Sequence, residues 1–236
     1  MRYDVAVASP EKPATRVVLI VVVGTLVALI SFGGLAYRFA RMAGMSFGAS
    51  EPIAVTAQLN HKLQPIDRGE RYEHPLHELL TRRGLGKADG GGTLTEKGGE
   101  IIYIDVALYL TDLDDSIPLV IRELEARGAP KGSLLRYEEK GKVREIPFGK
   151  REGIAVYLDG VNLGDEVYET SDVNVLIDRL NQRLEGIGAV ESWWTGPTET
   201  ALYLYGTTAA ELKARIADVL AHEPLCAGAR VVAITP

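Results

Sequence analysis

Residues 101–110 read IIYIDVALYL, ten residues without a break in which Ile102, Ile104, Val106, Leu108 and Leu110 alternate with Ile101, Tyr103, Asp105, Ala107 and Tyr109. Successive side chains of a strand point to opposite faces, so this spacing predicts a β-strand with one wholly aliphatic side. The same division recurs downstream. In 154–159, Ile154, Val156 and Leu158 oppose Ala155, Tyr157 and Asp159; in 200–205, Leu202 and Leu204 oppose Ala201, Tyr203 and Tyr205. Strands divided in this way lay one face on a core and turn the other away from it.

Between and after these strands the apolar spacing changes to that of helices. Asp114, Asp115 and Ser116 supply capping groups and N-terminal negative charge for a helix that buries Ile117, Val120, Ile121 and Leu124 and stops at Gly128. Residues 134–139 and 143–148 flank Lys140-Gly141-Lys142 and read as a hairpin. A helix over 172–184 presents Val175, Leu176, Leu180 and Leu184; strands follow at 189–194 and 200–205, then a helix at 209–220 and a last strand at 230–234. The order is βαββ followed by βαββαβ, and the second part has the split βαβ order of a ferredoxin-like fold. Right-handed crossovers place the helices on one side of a single sheet and leave the other side open. The expected fold is therefore a two-layer α+β domain over residues 93–236.

Residues 38–92 read as a connector interrupted by Pro52, Pro65 and Pro75 and closed by Gly90-Gly91-Gly92, with one short helix near 75–83. Before it, Val17 to Tyr37 runs for 21 residues without a charge between Arg16 and Arg38. At about 1.5 Å per helical residue that length crosses a bilayer core of about 30 Å, so 17–37 is expected to be a single-pass transmembrane helix behind a leader of residues 1–16. It is longer than the apolar part of a cleaved signal peptide. Arg2, Lys12 and Arg16 precede the span and Arg38 and Arg41 follow it, a bias that puts the N-terminus inside and the C-terminal domain outside the cytoplasm.

The span also accounts for the composition. Mean hydropathy is +0.03 because an apolar anchor is averaged with an ordinary folded region. The net charge of −6 divides into +2 for residues 1–75 and −8 for residues 76–236. An acidic domain with Asp105 and Asp159 among its tyrosines is a poor surface for phosphate backbones, which excludes nucleic acid as the expected partner. One cysteine, Cys226, excludes a disulfide framework.

No catalytic signature stands out. His74-Pro75-Leu76-His77-Glu78 lacks a third strong ligand at metal spacing, Asp112, Asp114 and Asp115 lack the glycine and glutamate of a calcium loop, and Gly90-Gly91-Gly92-Thr93 lacks a phosphate-loop lysine. The sequence thus calls for no metal and no cofactor. What it offers is an aromatic sheet face: Tyr103, Asp105, Tyr109, Tyr157, Asp159, Trp193, Tyr203 and Tyr205 are expected on the side away from the helices. Tyrosine joins a large apolar body to a polar tip and suits a face that is covered by a partner. The expected function is that of a membrane-anchored accessory protein whose domain binds a protein partner or itself. Two alternatives are a small-ligand-sensing module and a hydrolase with a site near Trp193–Glu199.

Overall fold

A computed structural model describes residues 51–236, so the leader and the apolar segment 17–37 lie outside the described residues. No helix among the described residues is long and apolar enough to cross a membrane.

The fold is α+β, with two antiparallel sheets in place of the one expected. The first sheet contains β1 (Ile53–Leu59), β2 (Gly86–Thr95), β3 (Ile101–Leu110), β4 (Ser133–Glu139) and β5 (Lys142–Phe148) in the order β2-β3-β1-β4-β5. Between β1 and β2 the chain forms α1 (Pro65–Arg68), a π-helical turn (Gly69–Glu73) and α2 (His74–Arg83); α3 (Leu113–Ala126) joins β3 to β4. The second sheet contains β6 (Glu152–Asp159), β7 (Gly188–Thr195), β8 (Glu199–Gly206) and β9 (Arg230–Ala233) in the order β7-β8-β6-β9. Its helices are α4 (Asp165–Thr170), α5 (Val173–Leu184) and α6 (Ala209–His222).

The expected connector, 38–92, thus carries in its described part β1 and most of β2 of the first sheet. β1 follows the ordinary rule: Val55, Ala57 and Leu59 are buried while Thr56 and Gln58 are half-buried on the other side. β2 is less legible because it reads GKADGGGTLT. Its glycines serve close backbone approach, since a Cβ on Gly91 would stand 2.2 Å from the Asp105 carbonyl oxygen. With β1 and β2 present, the first half runs βαββαβ and adds β5 at one edge.

The first sheet buries Ile104, Val106, Leu108 and Leu110 against Leu76, Leu80, Val120 and Leu124 of its helices. The expected alternation fails at the start of β3, where Ile101 is buried and Ile102 is 37% exposed. The reason is a bulge: Leu94 pairs with Tyr103 but Thr95 pairs with Ile101, so Ile102 is an extra residue that reverses the parity. In the second half Ile154, Val156, Leu158, Leu202 and Leu204 pack on Leu176, Leu180, Leu212 and Ile216.

The long helices α3, α5 and α6 each open on a capping side chain, and for α3 that cap is Asp112, just ahead of the Asp114–Ser116 expected. The Asp112 carboxylate accepts from Asp115 N at 3.1 Å, Asp172 from Asn174 N at 2.8 Å, and the Thr208 hydroxyl from Glu211 N at 3.1 Å. The sheets part at Gly149, whose φ of +99° and position only 1.9 Å from Pro130 O to an added Cβ admit no side chain.

Candidate functional site

The face of the second sheet away from α5 and α6 was expected to be open, and it is not. Tyr203 and Tyr205 are fully buried with Ala155 and Ala201, and Tyr157, Trp194 and Ile234 pack around them. The cover comes from the first half, from residues 60–64 just after β1 and from Glu100 just before β3. Lys62 N donates to Tyr205 Oη at 3.0 Å, and Ser192 Oγ donates to the Lys62 carbonyl. Gln64 Nε2 donates to the Trp193 carbonyl at 2.8 Å. One carboxylate oxygen, Glu100 Oε1, accepts from Tyr157 Oη at 2.8 Å, Tyr203 Oη at 2.9 Å and Lys62 Nζ at 3.0 Å. The ammonium of Lys62 also stands 5.2 Å from the centre of the Tyr203 ring.

Burial favours protonation of Glu100, but the hydrogen bonds from Lys62, Tyr157 and Tyr203 outweigh it and hold the carboxyl below its ordinary range. The phenols of Tyr157 and Tyr203 are pushed up by burial and then by their bonds to that carboxylate. Tyr205 rises chiefly by burial. All three phenols therefore stay protonated and act as donors or packed rings.

A second polar cluster lies behind Tyr205. The His61 ring is fully buried, with Nδ1 2.9 Å from Tyr72 Oη and Nε2 3.0 Å from Glu191 Oε2. The Nε2 contact lacks hydrogen-bond geometry, whereas Nδ1 and the Tyr72 hydroxyl share a hydrogen bond. Arg71 and Arg151 both pair with Glu191, Arg151 donates as well to the Tyr205 carbonyl, and the His61 ring packs edge-on to Tyr205 at 4.2 Å. Burial lowers His61 to about 4 against the opposing pull of Glu191. For Glu191 burial works toward a higher value, yet the bond and charge from His61 and the charges of Arg71 and Arg151 bring it to about 2. A neutral imidazole thus stands at ion-pair distance from an ionised carboxylate inside the fold.

Trp193 and Trp194 point to opposite faces, as neighbours in a strand must, but in the reverse sense to that expected. Trp193 opposes Leu202 and packs toward the helices; Trp194 opposes Ala201, packs with the tyrosines and donates from Nε1 to the Gly98 carbonyl at 3.3 Å. A bulge between Val190 and Ser192 shifts the parity of β7. Asp159 closes its own loop, accepting from Val161 N and Asn162 N at 2.9 Å each. The acid proposed for hydrolysis, Glu199, is held by Arg230 at 2.8 and 2.9 Å. His77 meets the Ala88 carbonyl at 2.7 Å through Nδ1, and burial pushes the Cys226 thiol up to about 12.

Tyr103, Asp105 and Tyr109 stand elsewhere, on the outer face of the first sheet, and all three are half-buried. Leu94 lies beside Tyr103, Gln58 beside Asp105 and Lys87 beside Tyr109, with Lys87 Nζ 5.5 Å from the centre of the Tyr109 ring. Gln58 accepts from Arg136, and Arg136 pairs with Glu145 at 2.7 Å. Asp105 Oδ1 meets no hydrogen-bond donor among the described residues. Burial raises its pKa against the charges of Arg136 and Arg68.

The aromatic set of the sequence therefore divides in two: Tyr157, Tyr203 and Tyr205 are internal, and Tyr103, Asp105 and Tyr109 remain on an outer surface. His61, Lys62, Arg71, Glu100, Arg151 and Glu191 were not found by sequence reasoning. One signal was present, a glutamate inside the strand sequence AVESWW at 189–194. No protein-family model and no curated protein matches this sequence.

Proposed function

We propose that this chain is a single-pass membrane-anchored interaction protein that binds a protein partner, or a second copy of itself, through the outer face of its first sheet. The reading combines the uncharged stretch 17–37 with a folded region of two ferredoxin-like βαββαβ units, the first extended by β5. The charge bias around 17–37 favours a folded region outside the cytoplasm, and its acidity disfavours nucleic acid.

The observation that carries the reading is the composition of that face. Tyr103, Ala107 and Tyr109 run along β3, with Leu94 at 38% exposure on one side and Val143 at 70% on the far edge strand. Asp105, Arg136 and Glu145 place charge among them. Apolar rings beside a few fixed polar groups are what a recognition surface needs. Replacing Tyr103 and Tyr109 together with serine removes two half-exposed rings and no buried bond. Association of the full chain in non-ionic detergent, measured by sedimentation and by pull-down from native membranes, is expected to fall at least tenfold. Unchanged association would sink the reading.

A further inference from the structure

The back of the Glu191 cluster opens to solvent. A depression of about 490 Å³ there is lined by Arg71, Glu125, Ala126, Arg127, Gly128 and Arg151. That size is within the range of small-molecule sites. Around it Arg71, Arg127, Arg151 and Lys150 face three carboxylates: Glu191 shared by Arg71 and Arg151, Glu123 bonded to Arg127, and Glu125 bonded to Lys150. With Arg71 counted, these four cations and three carboxylates leave the locality positive by one charge in a chain whose net charge is −6.

A guanidinium carries five N–H groups in a rigid fork. Arg71 uses Nη1 on Glu191; Arg127 uses Nε on Glu123 at 2.7 Å and Nη1 on the Arg71 carbonyl at 3.4 Å. Nη2 of Arg127 has no protein partner among the described residues, and Arg71, besides Glu191, also meets the hydroxyl of Tyr72. Both side chains are about one-third exposed, at 32% and 34%, and both line the depression. Their positions are fixed from behind: Arg71 by buried Glu191, Arg127 by its own helix and by the Arg71 backbone. Gly128 gives Arg151 room, since a Cβ there would lie 2.7 Å from Arg151 Nη1.

We propose that this depression binds a small molecule carrying a phosphate-class oxyanion, held between Arg71 and Arg127. Donors from two separate side chains approach such an anion from different directions, which suits a tetrahedral oxyanion better than a planar carboxylate taken by one fork. The remaining volume accommodates the organic part of the ligand. This site is distinct from the outer sheet face, and either can fail without the other.

The test is a titration of the full chain in non-ionic detergent at physiological salt with inorganic pyrophosphate, followed by phosphorus NMR line broadening and by calorimetry. Saturable binding is expected, weakened about tenfold or more in Arg127→Gln and less in Arg127→Lys, which keeps the charge but not the fork. Arg127, the residue after α3, forms a partly exposed pair with Glu123 and one long bond to the Arg71 carbonyl, so its replacement leaves the fold in place. Arg183→Gln, on the far helices, is expected to bind as the parent does. The inference is overturned if pyrophosphate does not bind, if Arg127→Gln binds equally well, or if Arg183→Gln loses as much. A parallel titration with short-chain phosphatidic acid in the micelle separates a soluble ligand from a lipid headgroup; binding of the lipid alone also overturns the soluble ligand proposed.

Discussion

His61 Nε2 lies 3.0 Å from Glu191 Oε2, and this contact ties the segment after β1 to the middle of β7. Neither residue reaches solvent to any extent, since His61 is 0% and Glu191 9% exposed. Its physical consequence is a stability that depends on pH on the acid side.

Both shifts have the same sign. His61 falls to about 4 in the folded chain from an ordinary value of 6.5, so the unfolded chain takes up its proton first and stability is lost as pH falls from about 6.5 to about 4. Glu191 falls to about 2 from 4.5, so its contribution is present above 4.5 and is lost between 4.5 and 2. Denaturant midpoints measured from pH 7.5 to 4.5 are expected to decline throughout, by a few kcal/mol in free energy. His61→Gln should flatten the part between 6.5 and 4.5. A profile as steep as the parent's in that variant would remove His61 as the cause.

Glu191→Ala strands Arg71 and Arg151 without their common carboxylate. Removing one partner from a buried ion pair costs about 3–5 kcal/mol. Glu199→Ala removes an exposed partner of Arg230 and is expected to cost under about 1 kcal/mol. Equal losses in chemical denaturation would contradict the distinction between the two pairs.

Tyr157 and Tyr203 both donate to Glu100 Oε1. Each single change to phenylalanine should cost about 1.5–3 kcal/mol, the net value of one hydrogen bond to a charged group. Because they share one acceptor, the double change should depart from the sum of the singles by about 0.5 kcal/mol or more. Strict additivity in a double-mutant cycle would show that Glu100 does not couple them.

Much of this architecture is written in local pattern. Strands with regular alternation, such as β6 and β8, and helices with polar caps, such as α3 and α6, are legible because each residue reports its own periodicity. β2 is not, because GKADGGGTLT has few side chains to alternate and takes its strand from a neighbour's backbone. Trp193 and Ile102 were misplaced for another reason: one extra residue in a strand reverses every parity assignment beyond it, and a bulge leaves no mark in composition. The division of the tyrosines was hidden more deeply. Tyr103 and Tyr203 occupy the same kind of position in their strands, and only the packing of residues 60–64 and Glu100 over one sheet makes Tyr203 interior and leaves Tyr103 at the surface. Such cover is tertiary and has no period to read.

The backbone of Lys62 is spent in both directions on the other half of the chain, its N–H on Tyr205 and its carbonyl on Ser192. The second half by itself would carry Tyr203 and Tyr205 bare into water. A cut of the chain near Gly149 would therefore separate two regular strand orders and leave an unroofed aromatic floor.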